Sequence, residues 1–96
     1  MPNMNVLGKR STTVAKYDGV TRVTYHNTNV VVFDEKQIIL NTDGFFTRTT
    51  MVRMNQASNQ FNLGFRVFTK NKKWWVEYKD VLIPDCFVMN KFVIDR

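Results

Sequence analysis

The 96-residue sequence has one cysteine, one histidine, two prolines and no apolar run of the length that crosses a membrane. The lone Cys86 excludes a disulfide within the chain and fits a reducing compartment. We expect its side chain to be buried, because free cysteine behaves as a small hydrophobe. The first residues lack the apolar core of a signal peptide. We therefore expect a soluble, non-membrane protein that stays in the cell in which it is made.

The residues that build catalytic and metal sites are also scarce. One histidine, one cysteine and scattered acids do not supply the several ligands that a metal site needs. His26 is far from Cys86 in the sequence, nothing marks a nucleophile elbow, and the four glycines are too isolated for a phosphate-binding loop. We predict a protein that is not an enzyme, with no catalytic residues, no metal and no other cofactor.

Basic residues outnumber acidic ones, with 14 Lys and Arg against 8 Asp and Glu, for a formal net charge of +6. This excess indicates nucleic acid or an acidic protein surface as the partner, although a merely solvated basic surface fits the charge equally well. The length leaves room for one domain. Residues 1–10 show little periodicity and are predicted to be a flexible N-terminal arm, and residues 11–96 a single domain.

The first half of the chain predicts a four-stranded antiparallel meander over residues 12–16, 21–26, 29–34 and 37–41. Asp18-Gly19 is a strong signal for the first two-residue turn. Two-residue turns throughout align a row of four apolar residues on one face, namely Val14, Val23, Val32 and Ile39. The other face then carries Val31, Phe33, Ile38 and Leu40 with Arg22 and Thr24. That second face is apolar enough to need a cover.

The predicted cover is a helix over residues 50–61. Apolar residues recur there at steps of three and four, at Met51, Met54, Ala57, Ser58 and Phe61. Arg53, Gln56 and Gln60 are expected on another side of the helix. The candidate N-caps are Thr47, Thr49 and Thr50, because a hydroxyl can accept from the free amides of the first turn.

A closing hairpin is predicted over residues 65–70 and 73–79, around Asn71-Lys72. Its register pairs Phe65 with Tyr78, Arg66 with Glu77, Val67 with Val76, Phe68 with Trp75, and Thr69 with Trp74. The apolar tail over residues 87–94 either docks on the domain or adds a strand. The predicted class is therefore α+β, an antiparallel β-meander with one central α-helix packed on the sheet and a closing β-hairpin.

Residues 40–56 carry a recognisable pattern: Leu-Asn, a turn glycine before an aromatic residue, a cluster of threonines, and an arginine shortly before Asn-Gln. The pattern resembles a family of small proteins of unassigned function encoded by tailed bacteriophages. The likeness extends over residues 24–76, with Asp43 in place of a usual glycine and Phe45 in place of a common tryptophan. The resemblance implies a phage protein in the host bacterial cytoplasm, without an activity or established binding residues.

The stronger candidate site is the outward side of the final hairpin, where rings alternate with cations beside Glu77. Single-stranded nucleic acid requires this arrangement, because bases stack on rings and Lys or Arg neutralises phosphate. The predicted nucleic-acid-binding residues are Arg66, Phe68, Lys70, Lys72, Lys73, Trp75 and Lys79. Alternatively, Phe68 and Trp75 pack beneath the C-terminal tail. Only one of Trp74 and Trp75 can face the core of a regular strand.

A second candidate site surrounds the start of the predicted helix. Hydroxyls, amides and two arginines at a helix start suit an anion or a partner surface. The residues in question are Arg48, Arg53, Asn55 and Gln56 with the neighbouring threonines. They fit equally well as caps and polar residues of a helix surface.

Together these features favour a non-enzymatic protein that binds nucleic acid, single-stranded or with weak sequence selectivity, during phage infection. The alternatives are a phage protein that binds and modulates a host bacterial protein, and a minor virion component. The sequence leaves the oligomeric state open.

Overall fold

The computed structural model describes residues 12–44, 46–84 and 90–96. Within them lie eight strands and one helix: β1 (Thr12–Tyr17), β2 (Val20–Tyr25), β3 (Thr28–Phe33), β4 (Gln37–Asn41), α1 (Arg48–Gln60), β5 (Phe65–Lys70), β6 (Lys73–Tyr78), β7 (Val81–Ile83) and β8 (Lys91–Asp95). The predicted α+β class, a meander with one helix, is confirmed. In this part of the chain no helix has the length and apolar character that a membrane crossing requires. The predicted N-terminal arm and Cys86 lie outside the described residues.

The meander belongs to a five-stranded antiparallel sheet with the order β1-β2-β3-β4-β8. Asp18 and Gly19 form the turn between β1 and β2 with φ of 52° and 77°, a conformation that glycine adopts without strain. The predicted registers of β1 with β2 and of β3 with β4 are confirmed. Val14 lies opposite Val23 between β1 and β2, and the β3–β4 pairing also follows the prediction.

The turn between β2 and β3 is one residue earlier than predicted. It consists of His26 and Asn27, because Thr28 already pairs with Tyr25 as the first residue of β3. His26 adopts a φ of 56° in this turn. The prediction of Asn27 and Thr28 as the turn residues is therefore wrong.

A bulge between Val23 and Thr24 then shifts the β2–β3 pairing by one residue. Val23 lies opposite Val31, so the predicted row through Val32 and Ile39 is wrong. The buried face instead continues through Val31 and Leu40. The bulge also lets two consecutive residues of β3 enter the core, since Val30 and Val31 are both buried.

The C-terminal tail adds a strand, which decides between the two alternatives for residues 91–95. β8 pairs antiparallel with β4, with Ile94 opposite Ile38 and Phe92 opposite Leu40. Ile94 and Ile38 are both buried, so the strand extends the apolar face of the meander. Residues 87–89 of the predicted tail lie outside the described residues.

The second sheet has the order β5-β6-β7, and its hairpin follows the prediction in all five pairs. β6 ends at Tyr78, one residue before the predicted end, because Lys79 and Asp80 form a further turn with φ of 49° and 64°. That turn leads into β7, a strand that the prediction missed, which pairs with β6.

α1 packs on β2 and β3 of the first sheet and on β5 of the second. The predicted stripe is confirmed, since Met54, Ala57 and Ser58 are buried on this side. Gln56, which was expected on another side of the helix from this stripe, is also buried. Gln56 is 1% exposed, and its Oε1 accepts a hydrogen bond from Nη1 of Arg53 at 3.0 Å. The partly buried arginine thus provides the polar partner that burial of an amide requires.

Side chains of α1 bind the backbone of β5 along the edge that faces away from β6. Asn55 donates from Nδ2 to the carbonyl of Val67 at 2.8 Å, and its Oδ1 accepts from the Val67 amide at 2.7 Å. The Ser58 hydroxyl donates to the carbonyl of Phe65 at 2.6 Å and accepts from its amide at 3.0 Å. These bonds satisfy an edge that would otherwise present unpaired groups, and they fix the hairpin to the helix.

Candidate functional site

The outward side of the β5–β6 hairpin presents three cross-strand pairs in succession. Residues two apart along a strand share a face, so the pairs form three rows. They are Arg66–Glu77, Phe68–Trp75 and, next to the turn, Lys70–Lys73. We call these six residues the hairpin face.

The middle row is a pair of rings. The Phe68 and Trp75 centroids lie 6.2 Å apart with an interplanar angle of 26°, and both side chains are half-buried. Nε1 of Trp75 donates to the carbonyl of Lys70 at 3.3 Å, which holds the indole along the strand. Of the tail that the alternative interpretation placed over these rings, residues 91–95 form β8 of the five-stranded sheet, and residues 87–89 lie outside the described residues.

The neighbouring tryptophan points the other way. Trp74 is 8% exposed and contacts the Phe46 ring edge to face at a centroid distance of 5.3 Å. The prediction that Trp74 and not Trp75 faces the core is therefore confirmed. The same contact places the segment that precedes α1 against the hairpin.

Cations lie over both half-buried rings. Nζ of Lys70 is 5.4 Å from the Trp75 centroid, and the guanidinium carbon of Arg66 is 4.6 Å from that of Phe68. Nε of Arg66 is also 3.4 Å from Oε1 of Glu77, with exposed side-chain fractions of 61% and 38%. Exposed contacts of these kinds contribute at most about 1 kcal/mol each, so a ligand can displace them at small cost.

The row next to the turn concentrates positive charge. Lys70 and Lys73 lie directly opposite each other, and like charges in that position destabilise a hairpin. Lys72 adds a third cation in the turn at φ 63°, where most residues other than Gly, Asn and Asp are strained. Among the described residues of the hairpin face, Glu77 is the only acid, and it lies in the row farthest from the turn.

Lys79 does not join the hairpin face. The prediction placed it there as the last residue of β6, but it belongs to the following turn. Its Nζ lies 5.2 Å from the ring of Tyr78, which is paired with the buried Phe65 on the opposite face of the sheet. The positive φ at the turn redirects the side chain in this way.

Three of the four residues at the second candidate site contribute to packing. Nε of Arg53 donates to the Thr12 hydroxyl at 2.9 Å, and the guanidinium carbon lies 5.6 Å from the Tyr25 ring centroid. Arg53 also binds the buried Gln56, and both polar atoms of Asn55 bind the backbone of β5. Arg48 alone among the four is exposed. The geometry therefore does not gather these side chains around one anion.

A cavity of about 530 Å³, which the sequence did not predict, opens between the β2–β3 turn and the start of α1. Its walls are Tyr25, His26, Asn27, Thr28, Val30, Thr42, Asp43, Thr47 and Thr50. No local motif signals it, because three separate segments form it and the turn position that shapes it differs from the prediction.

Comparison with known proteins finds the family of this chain. No curated protein and no solved structure matches it. A family model described as Kyanoviridae Gp96 protein matches residues 3–94, which is nearly the whole sequence. This match confirms the resemblance to small phage proteins that residues 40–56 carry. The chain belongs to the Kyanoviridae Gp96 family of phage proteins.

Proposed function

We propose that this phage protein binds single-stranded nucleic acid, with weak sequence selectivity, through the hairpin face and Lys72. The observation that carries the proposal is the row of Lys70 opposite Lys73 beside the paired rings of Phe68 and Trp75. An acidic residue in place of either lysine would form an opposite-charge pair and stabilise the hairpin, so stability alone does not account for two lysines in this row.

In the proposed complex, a base stacks on the indole of Trp75. Lys70 leaves the ring face for the adjoining phosphate, and Lys73 and Lys72 contact the phosphates near the turn. Stacking on an aromatic side chain is worth about 1–3 kcal/mol per base, more than the exposed cation–π contact that it replaces. The exchange therefore favours binding.

The same geometry favours a single strand over a duplex. Phe68 and Trp75 project from neighbouring strands on one face of the sheet, with their ring planes 26° from parallel. A base reaches such a ring only when it is unstacked from its neighbours, which is usual in single strands and costly in a duplex. We place this activity in the host bacterial cytoplasm during infection.

Salt dependence tests the proposal. The wild type should bind a labelled oligothymidine, with log affinity falling linearly as log salt rises. Lys70→Ala and Lys73→Ala should each flatten that slope by about one unit, as loss of one phosphate contact does. Lys91→Ala is the matched control, because it removes one exposed lysine from β8 in the other sheet. Equal slopes for all three variants would reject the phosphate contacts.

Binding of a host protein is the second candidate function, and β7 favours it. This strand lies at the edge of the three-stranded sheet, and its Val81 and Leu82 are 58% and 49% exposed. Leu82 pairs with Glu77 and so shares a face with Trp75. Capture of a host protein that survives nuclease treatment and high salt, without any binding of oligonucleotides, would favour this candidate.

A further inference from the structure

Along the strands of the hairpin face, the lysine pair, the ring pair and the Arg66–Glu77 pair lie in that order. This order determines which part of a bound nucleotide each pair can contact. The inference rests on the proposed function. The lysine row, the ring row and the Arg66–Glu77 row follow one another at about 6.6 Å, the rise of two strand residues. A nucleotide with its phosphate at the lysines and its base on Trp75 therefore presents its far edge to Arg66 and Glu77.

Arg66 and Glu77 are suited to read a base edge. Their mutual contact engages Nε and Oε1, and both side chains are substantially exposed. The second carboxylate oxygen and the terminal guanidinium nitrogens take no part in that contact. The row thus offers a carboxylate that accepts two hydrogen bonds next to a cation that donates them.

We propose that the Arg66–Glu77 row makes the site prefer guanine. Guanine alone among the four bases carries two neighbouring donors, N1–H and the N2 amino group, beside an acceptor, O6. The Glu77 carboxylate accepts from both donors, and Arg66 donates to O6. Adenine, cytosine and thymine each offer the carboxylate one donor group at this edge.

The position of Glu77 makes a carboxylate compatible with phosphate binding. It lies four residues from Lys73 along β6, which is about 13 Å for an extended strand. That distance exceeds the Debye length of about 8 Å at physiological salt. The carboxylate therefore weakens the lysine row little, while its own row remains close to the stacked base.

The test uses short oligothymidines with one central nucleotide exchanged for guanine, hypoxanthine, adenine or cytosine. Hypoxanthine is the matched control, because it keeps O6 and N1–H and lacks only the N2 amino group. The wild type should bind the guanine strand about five- to tenfold more tightly than the hypoxanthine strand, the effect of one hydrogen bond in a solvent-exposed row. In Glu77→Gln, this ratio should fall clearly below the wild-type value, because the side chain keeps one acceptor oxygen but turns an amide donor toward the second donor of guanine.

Each other outcome is informative. Equal affinity of the wild type for all four strands would overturn the guanine preference and leave the proposed function standing. An undiminished guanine preference in Glu77→Gln would overturn the role of the carboxylate, and a preference of the wild type for cytosine would overturn the guanine preference. Failure to bind any strand at low salt would overturn both the preference and the proposed function.

Discussion

Lys70 and Lys73 lie directly opposite each other across β5 and β6, in the row next to the hairpin turn. Two like charges in that position cost stability, and the turn between them adds Lys72. Sequences that specify a fold normally agree at every level, and local conflicts concentrate where function requires them. Binding of a negatively charged partner therefore accounts for this pair of lysines better than the stability of the hairpin does.

Lys73→Glu should separate stability from binding. The introduced carboxylate faces Lys70, so the like-charge pair becomes an ion pair and the free energy of unfolding should rise by about 0.2–1 kcal/mol. Affinity for single strands should fall, because a phosphate contact is replaced by a repulsion. Urea denaturation and oligonucleotide titration of the same variant check both effects. Destabilisation with unchanged affinity would contradict the assignment of this row.

Lys72→Gly probes the turn. Lys72 has a φ of 63°, which costs a residue with a side chain about 1 kcal/mol or more and costs glycine little. The variant should unfold at higher urea concentration than the wild type and bind single strands with a salt slope about one unit lower. A loss of stability would contradict this account, because it would show that the Lys72 side chain stabilises the turn.

Thr47→Ala tests the start of α1. The Thr47 hydroxyl accepts from the amide of Thr50 at 3.2 Å, so its removal should lower the free energy of unfolding by about 1 kcal/mol. Thr49→Ala is the control, because Thr49 is an exposed residue within the first turn. Chemical denaturation of both variants distinguishes them. Equal losses would reject Thr47 as the cap.

Asn55→Asp tests the attachment of the hairpin to the helix. The change keeps an acceptor for the Val67 amide but places an oxygen against the Val67 carbonyl, which loses its donor. We expect a loss of about 1–3 kcal/mol at neutral pH, the cost of an unsatisfied buried group. The carbonyl raises the pKa of the introduced carboxyl, so the deficit relative to the wild type should shrink as the pH falls and be smallest below about pH 4, where the carboxyl is protonated and donates. A deficit that is independent of pH would contradict the hydrogen-bond geometry.

The closing hairpin shows what local sequence can predict. A two-residue turn at Asn71-Lys72 fixes the register, and alternation then assigns each side chain to a face. For this reason all five pairs and the opposite orientations of Trp74 and Trp75 are as predicted. The helix stripe is likewise local, because its period alone defines the buried side.

The incorrect predictions involve features without a local signal. β3 is apolar at four successive positions from Val30, so its pattern does not reveal the bulge that moves Val31 opposite Val23. β7 has three residues, too few for a periodicity. Asn55 and Gln56 read as helix-surface polar residues, because their partners come from β5 and from Arg53, and only the packed fold brings these together.

The most direct test of the central claim is a titration of labelled oligothymidine at low salt with the wild type, Trp75→Ala and Trp74→Ala, alongside thermal melts. The wild type should bind. Trp75→Ala should lose about 1–3 kcal/mol of binding and much less stability than a core truncation, because its half-buried ring lies on the outward face. Trp74→Ala should instead lose about 3–5 kcal/mol of stability as a core truncation. No detectable binding by the wild type, or a Trp75→Ala variant that melts like a core mutant and binds like the wild type, would contradict the account.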